Sequence, residues 1–445
     1  MKNNIQLSDH FTYRRLLRFT LSPVIMMVFI SIYGVVDGLF ISNFVGKTPF
    51  AAVNLIMPFV MIIGGMGFMM GAGGTALVSK VMGEGDGHKA NRYFTMTVMF
   101  TCIMAVILSV LGIIFMPQVS RLLGATDAMM DDCVIYGRIV VAFTLTFMLQ
   151  SLFHTFLITA ERPKLGLFFT VAAGCTNMVL DALFVGVFKW GVVGAAVATG
   201  ISQCVGGLCP LVYFLSKKNT SRLRLVPTRI EAKPMIKACT NGSSELMSNI
   251  SSSVVGMLYN LQLMKYAGED GVSAYGVLMY VLFIFIAVFI GYSISVAPII
   301  GYNYGAENRE ELRNILKKSL ILNFSVGAIM VVLCYALAYP LSKIFVGYDA
   351  ALLELTVHAF EIYSLHFILT GFNIFASGFF TALNNGAISA AISFLRTLVF
   401  QSAAVLVLPL LLGVDGIWWA ICVAEVAAFL ISLLFMLKER KRYGY

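Results

Sequence analysis

The chain has 445 residues, 59% of them hydrophobic and only 12% charged, whereas soluble domains carry about 25% charged residues. That composition excludes a soluble domain of any size and describes an integral membrane protein. The net charge of +9 does not point to nucleic acid, because the bases sit in short loops between apolar runs, where membrane topology accounts for them.

Arg14, Arg15 and Arg18 precede the first apolar run, which is long and lacks a small-residue cleavage site, so it reads as a retained first helix. Runs of about 20 apolar residues, the length that crosses a bilayer, then recur along the whole chain. Twelve spans are predicted, at 16–44, 52–80, 94–117, 132–158, 165–188, 191–216, 238–265, 272–302, 318–340, 352–381, 388–411 and 415–437. The eight cysteines fall mostly inside spans, with no C-x-x-C and no histidine spacing that suggests zinc. They read as small buried residues.

An even number of spans puts both termini on one side. With the termini inside, only Lys47, Arg121, Lys189, Lys265 and Lys343 among the loop bases fall outside. The positive-inside rule then makes both termini cytoplasmic, in a multi-pass protein of the inner (plasma) membrane. Span two carries Gly64, Gly65, Gly67, Gly71, Gly73 and Gly74, which read as close-packing points, with a hinge as the alternative. Pro23, Pro58, Pro298 and Pro409 also interrupt spans and are candidate kinks.

The longest polar connection, 217–237, holds Lys217, Lys218, Arg222, Arg224, Arg229, Lys233, Lys237 and two prolines. It separates an N-terminal six-helix lobe, 1–216, from a C-terminal one, 238–445. A constant offset of 222 residues relates the two: Gly83 answers Gly305, Ala160 answers Ala382, Gly191 answers Gly413 and Gly194 answers Gly416. The matches fall at loop punctuation, GEGDG against YGAEN and KWGVVGAA against LLGVDGIW, where apolar composition alone does not produce identity. Two copies that both start inside are parallel repeats, the plan of a transporter with a cavity between two lobes.

Spans five and six form a hairpin turned at residues 189–191, and Asp181 lies inside the first arm. Asn177 is one turn before it on the same face. Thr199 follows Trp190 by as many residues as Asp181 precedes it, so the two reach the same depth, roughly 14 Å below the turn. Asp37 in span one sits roughly 10 to 12 Å below the same membrane face. Intramembrane acids are functional by default. Two carboxylates, an amide and a hydroxyl suit a hard cation such as Na+; alternatively the two acids hold and release a proton. Both remain open.

The 222 offset puts Tyr259, Val399 and Ala403 opposite Asp37, Asn177 and Asp181, so the second half does not repeat this set. It carries Glu245, Arg396 and Glu425 instead. Arg396 and Glu425 come within about one helical turn of the same depth and read as a structural ion pair. Glu245 reads equally as a helix-capping group or a cavity group. His154 and His366 read as packing or hydrogen-bonding residues. The 24 methionines, with a run at Met57, Met61, Met66, Met69 and Met70, and the 35 phenylalanines mostly meet lipid or other helices. Where some face a cavity they suit varied, bulky, cationic ligands.

Several ordered blocks resemble one family: YGVVDGLFISNFVG, GEGDGHKAN, AERPKLGL, NMVLDALF, GAAVATGISQ, NGSSELMSNIS, AGEDGVSAYGVLMY and APIIGYNYGAEN. They cover nearly the whole chain, which resembles the multidrug and toxic-compound extrusion (MATE) family of the MOP superfamily, in its MepA-like branch, related to the DinF-type proteins. The resemblance implies an all-α protein of twelve transmembrane helices in two pseudo-symmetric six-helix bundles. It also implies antiport of cationic or amphipathic drugs against Na+ or H+. In DinF-type relatives the N-lobe cation site uses residues that fall here on Asp37, Asn177, Asp181 and Thr199. The chain departs from the NorM-type branch, which places acids in the seventh and tenth helices: residues 365–383 contain none, and Glu245 comes too early in its helix.

The expectation is therefore a rocker-switch multidrug efflux antiporter, acting as a monomer, with no cofactor beyond its coupling ion. A lipid-linked oligosaccharide flippase of similar plan is the alternative, but such a cavity needs several intramembrane bases and only Arg138 and Arg396 are available. A membrane-embedded enzyme is not expected, because none of the five histidines sits in a motif such as H-E-x-x-H.

Overall fold

A computed structural model describes residues 5–45 and 47–445, apart from six side chains between residues 39 and 50 that include Lys47, one of the five outer bases. Among the described residues there is helix and no strand, as a lipid environment requires of any non-barrel chain, because helices satisfy their own backbone groups. The first half holds α1 (Tyr13–Phe44), α2 (Lys47–Gly83), α3 (Gly87–Leu122), α4 (Asp127–Ala142), α5 (Thr144–Thr159), α6 (Pro163–Asp181) and α7 (Gly191–Leu215). An irregular connection at 216–231 leads to α8 (Ala232–Gly305), α9 (Arg309–Val346), α10 (Ala350–Ser364), α11 (Phe367–Ala382), α12 (Gly386–Phe394), α13 (Gln401–Leu412) and α14 (Val414–Tyr443). Two π-helical turns, Ala182–Val187 and Leu395–Phe400, extend α6 and join α12 to α13. Polar caps set many of the starts: the side chains of Thr12, Asp86, Asn308, Asp349 and Asn385 each accept from a backbone N–H of the first turn.

These fourteen helices make twelve crossings. Helices α4 and α5 are one span bent by 53°, and α10 and α11 one span bent by 49°. The 74-residue α8 is broken at Gly268, whose φ of 63° with ψ of −152° lies in a region open essentially to glycine alone. The chain doubles back there. Tyr259 and Tyr275 would lie about 24 Å apart along a continuous helix, yet their rings stack in parallel with centroids 5.1 Å apart. Neither sharp bend falls at a proline: they fall at Phe143 and at residues 365–366, again 222 apart.

The 222-residue offset recurs in the backbone. Gly85 and Glu307 both have positive φ, as do Gly191 and Gly413. The glycines of α2 are packing points: Gly67 and Gly71 face the backbone of α5, Gly74 faces Thr97 of α3, and Gly73 faces the carbonyl of Ala238 in α8. At the end of the molecule that carries both termini, one apolar core runs through both halves and includes Met70, Phe94, Phe156, Val296, Phe375 and Phe379. Toward the other end the core divides. One cluster, with Ile56, Tyr136 and Ala195, belongs to the first half, and another, with Tyr259, Phe360 and Trp418, to the second. The halves are thus joined at the termini end and separately packed beyond it. Exposed apolar side chains such as Val106, Ile107, Leu430 and Leu434 form the outer belt that meets lipid.

Candidate ion-coupling site

The α6–α7 hairpin positions the first acid. Lys189 (φ 56°) and Gly191 (φ 60°) make the tight turn, and Trp190 between them stacks on Phe184 at 4.8 Å and packs against Phe188 at 5.5 Å. Below this aromatic lid the helix widens into the π turn Ala182–Val187, and Asp181 is the last residue before it. Such π turns cluster at functional sites because they re-aim side chains. Asp181 is fully buried and Asn177, one turn away, is buried with it.

Helix α1 brings the second acid. Gly174 of α6 lets Phe29 and Tyr33 of α1 come so close that a Cβ there would strike both rings. The two helices run in parallel, so one turn beyond Tyr33 and two turns beyond Gly174 their acids meet. Asp37 and Asp181 are thereby close enough to interact directly. Tyr136 of α4 and Tyr33 of α1 lie close to the acids, and Gln150 of α5, buried like Tyr136, lies close to Tyr33. Sequence reasoning missed Tyr33, Tyr136 and Gln150. Tyr33 carried a signal, lying four residues before Asp37 on one helix face.

The site is rich in acceptors and short of donors. Both Asp181 oxygens, Asp37 Oδ1 and Asn177 Oδ1 are buried with no hydrogen-bond partner among the described residues. Buried polar groups are seldom left so, and bare acceptors gathered in one part of the fold favour a positive species among them. The donor set is all oxygen, and among the described residues no group of three or more His, Cys, Asp or Glu could hold a metal ion. Thr199 is half-buried on α7. Among the described residues its carbonyl accepts from the Ser202 hydroxyl at 2.7 Å, and no hydrogen bond ties its own hydroxyl to either acid. One turn further on, Gln203 is buried with Oε1 also unpartnered.

The second half is built differently. Arg396, in the π turn Leu395–Phe400, donates to Glu425 Oε1 through Nη2 at 2.7 Å and Nε at 2.9 Å. Asn373 of α11 donates to Glu425 Oε2 at 2.6 Å, so a carboxylate only 1% exposed has both oxygens engaged. Tyr259, at the place of Asp37, is stacked on Tyr275. Helix α8 begins at Ala232, so Glu245 lies thirteen residues inside it. The capping reading of Glu245 therefore fails, because terminal charge effects fade within the first turn. Its side chain is half-buried where α8 approaches α2, and Leu246 and Asn249 beside it abut Gly65. His154 Nε2 bonds the Thr170 hydroxyl at 3.1 Å, and His366 Nδ1 bonds the Tyr363 carbonyl.

The MatE family model matches residues 23–183 and again 246–404, one match in each half. The multidrug export protein MepA of Staphylococcus saprophyticus is 23% identical over 430 residues, 96% of this chain and 94% of that one. MepA of Staphylococcus aureus strain MRSA252 is 21% identical over 433 residues, with the same coverage. Among solved structures, an outward-facing multidrug resistance MATE transporter of the MOP superfamily superposes with a TM-score of 0.93 at 21% identity. That match covers 100% of this chain and 99% of the other.

Proposed function

The chain belongs to the MatE family of transporters and is MepA-like, and from that premise we propose that it expels cationic or amphipathic drugs by cation-coupled antiport. The observation that carries the reading is the contact of Asp37 with Asp181 in a buried site whose acceptors lack donors. Two carboxylates this close in an apolar interior cannot both ionise cheaply without a proton or a metal cation between them. Asp37 and Asp181 bind the coupling ion, Na+ or H+, with Asn177 and Thr199 as supporting ligands.

The halves 1–216 and 238–445 rock about the shared core at the termini end, which faces the cytoplasm, in a protein of the plasma membrane acting as a monomer. Drug enters the central cavity from the cytoplasm or inner leaflet. An external cation then occupies the acid pair, disfavours the drug and drives the return to the inward state. The separate outer cores support this movement, since each half keeps its own packing when the two part. A flippase of phosphate-bearing lipids is disfavoured: Arg396 is held by Glu425, and Arg138 donates to the Ile113 carbonyl at 3.1 Å. The test is the Asp181→Asn variant in drug-challenged cells, where resistance is lost while protein level stays near normal. Full resistance with that variant would sink the assignment.

A further inference from the structure

The segment ahead of α1 packs against both halves through two buried side chains. Leu7 and Phe11 are 0% exposed, and Phe11 packs edge-on against Phe19 at 6.1 Å. On the first half, the Leu7 N–H donates to Glu161 Oε1 at 2.9 Å, in the turn between α5 and α6. Arg222 of the connection pairs with Glu161 at 3.4 Å and donates to Gln6 at 2.8 Å. On the second half, Glu311 of α9 accepts from the Phe11 N–H at 2.9 Å and contacts His10 Nδ1 at 2.6 Å. The Phe11 carbonyl accepts from Asn314 at 3.1 Å and from Lys318 at 2.6 Å.

The asymmetry of the repeat marks this as an addition to the shared fold. Asn308 caps α9 through the Glu311 N–H as Asp86 caps α3 through the Lys89 N–H, and the two pairs are 222 residues apart. Where the first half has the half-buried Lys89, the second has a carboxylate nearly withdrawn from solvent. A buried carboxylate is costly unless its oxygens are satisfied. Besides Asn314 within its own helix, the groups that satisfy Glu311 come from the N-terminal segment.

We propose that residues 5–11 are a strap that fastens the two halves together at the termini end, through Glu161 on one side and Glu311 on the other, and must leave one of them before the halves part there. The inference rests on the reading that the halves alternate between two arrangements. It adds a residue-level latch on the closed end.

Cys239 of α8 reports the seam, because its Sγ lies 3.6 Å from Met70 Sδ of α2. Cys133, buried in the outer core of the first half, reports general unfolding. The experiment measures maleimide labelling of both cysteines by peptide mass spectrometry in purified wild type, Glu161→Ala and Glu311→Gln. Labelling of Cys239 rises roughly tenfold in the variants, the shift expected from losing one hydrogen bond to a charged group, while Cys133 is unchanged. Unchanged Cys239 in both variants overturns the strap, as does a rise at Cys133 in step with Cys239, which would mark a merely structural role. Drug uptake by the wild type is measured alongside. No uptake with a responsive Cys239 removes the transport reading and leaves the strap standing; normal uptake with an unresponsive Cys239 does the reverse.

Discussion

Gly83 and Gly305 clasp one another's helices reciprocally. A Cβ on Gly83 would collide with the carbonyl of Tyr302, and a Cβ on Gly305 with the carbonyl of Lys80. Residues 80 and 302 are related by the same offset of 222 as the two glycines, so the contact sits on the pseudo-symmetry axis between the halves. By contrast Gly34 and Gly256, also 222 apart, have nothing within 4 Å of a built Cβ. One glycine pair is needed for contact and the other is not.

Gly305→Ala should therefore loosen the closed end. The backbone carbonyl cannot move aside as a side chain would, so overpacking costs about 1–3 kcal/mol. Labelling of Cys239 should rise in this variant, whereas Gly34→Ala and Gly256→Ala should match the wild type. Equal labelling in all of them would show that the α2–α8 contact does not hold this end shut.

The Arg396–Glu425–Asn373 group should behave as a structural unit. Arg396→Met leaves a buried carboxylate without its cation and should destabilise the protein by about 3–5 kcal/mol, seen as a lower Tm in detergent. Arg396→Met with Glu425→Leu should recover most of that loss, because no uncompensated charge remains. A double variant as unstable as the single one would give the pair a role beyond charge compensation.

At Gly268 the backbone has φ 63° and ψ −152°, a region costly for any residue with a Cβ. Gly268→Ala should lower the Tm by the equivalent of about 1–3 kcal/mol, although open space surrounds the position. An unaltered Tm would mean that the α8 hairpin relaxes at no cost.

The fold was legible because bilayer length and loop punctuation are one-dimensional signals. Apolar windows located the crossings, and turn glycines such as Gly191 and Gly413 exposed the repeat, since a positive-φ turn constrains residue type more than a lipid-facing position does. The bends at Phe143 and residue 365 were not legible, for no proline or glycine marks them. Nor were the π turns, which differ from α-helix by one inserted residue and leave hydropathy unchanged. At the site, depth counting selected Asp37, Asn177, Asp181 and Thr199, and in the structure the two aspartates meet with Asn177 beside them. The neighbouring Tyr136 comes from a separate span and needed the packing. Glu245 misled because the start of its helix was placed at the start of the apolar run, whereas α8 begins in the polar connection before it.

The acid pair is the centre of the account, and drug uptake into proteoliposomes under separately imposed Na+ and H+ gradients tests it most directly. Wild-type protein should take up drug under at least one of the two gradients, and both Asp37→Asn and Asp181→Asn should abolish the response to that gradient. Gradient-driven uptake that persists in either variant would contradict coupling through Asp37 and Asp181.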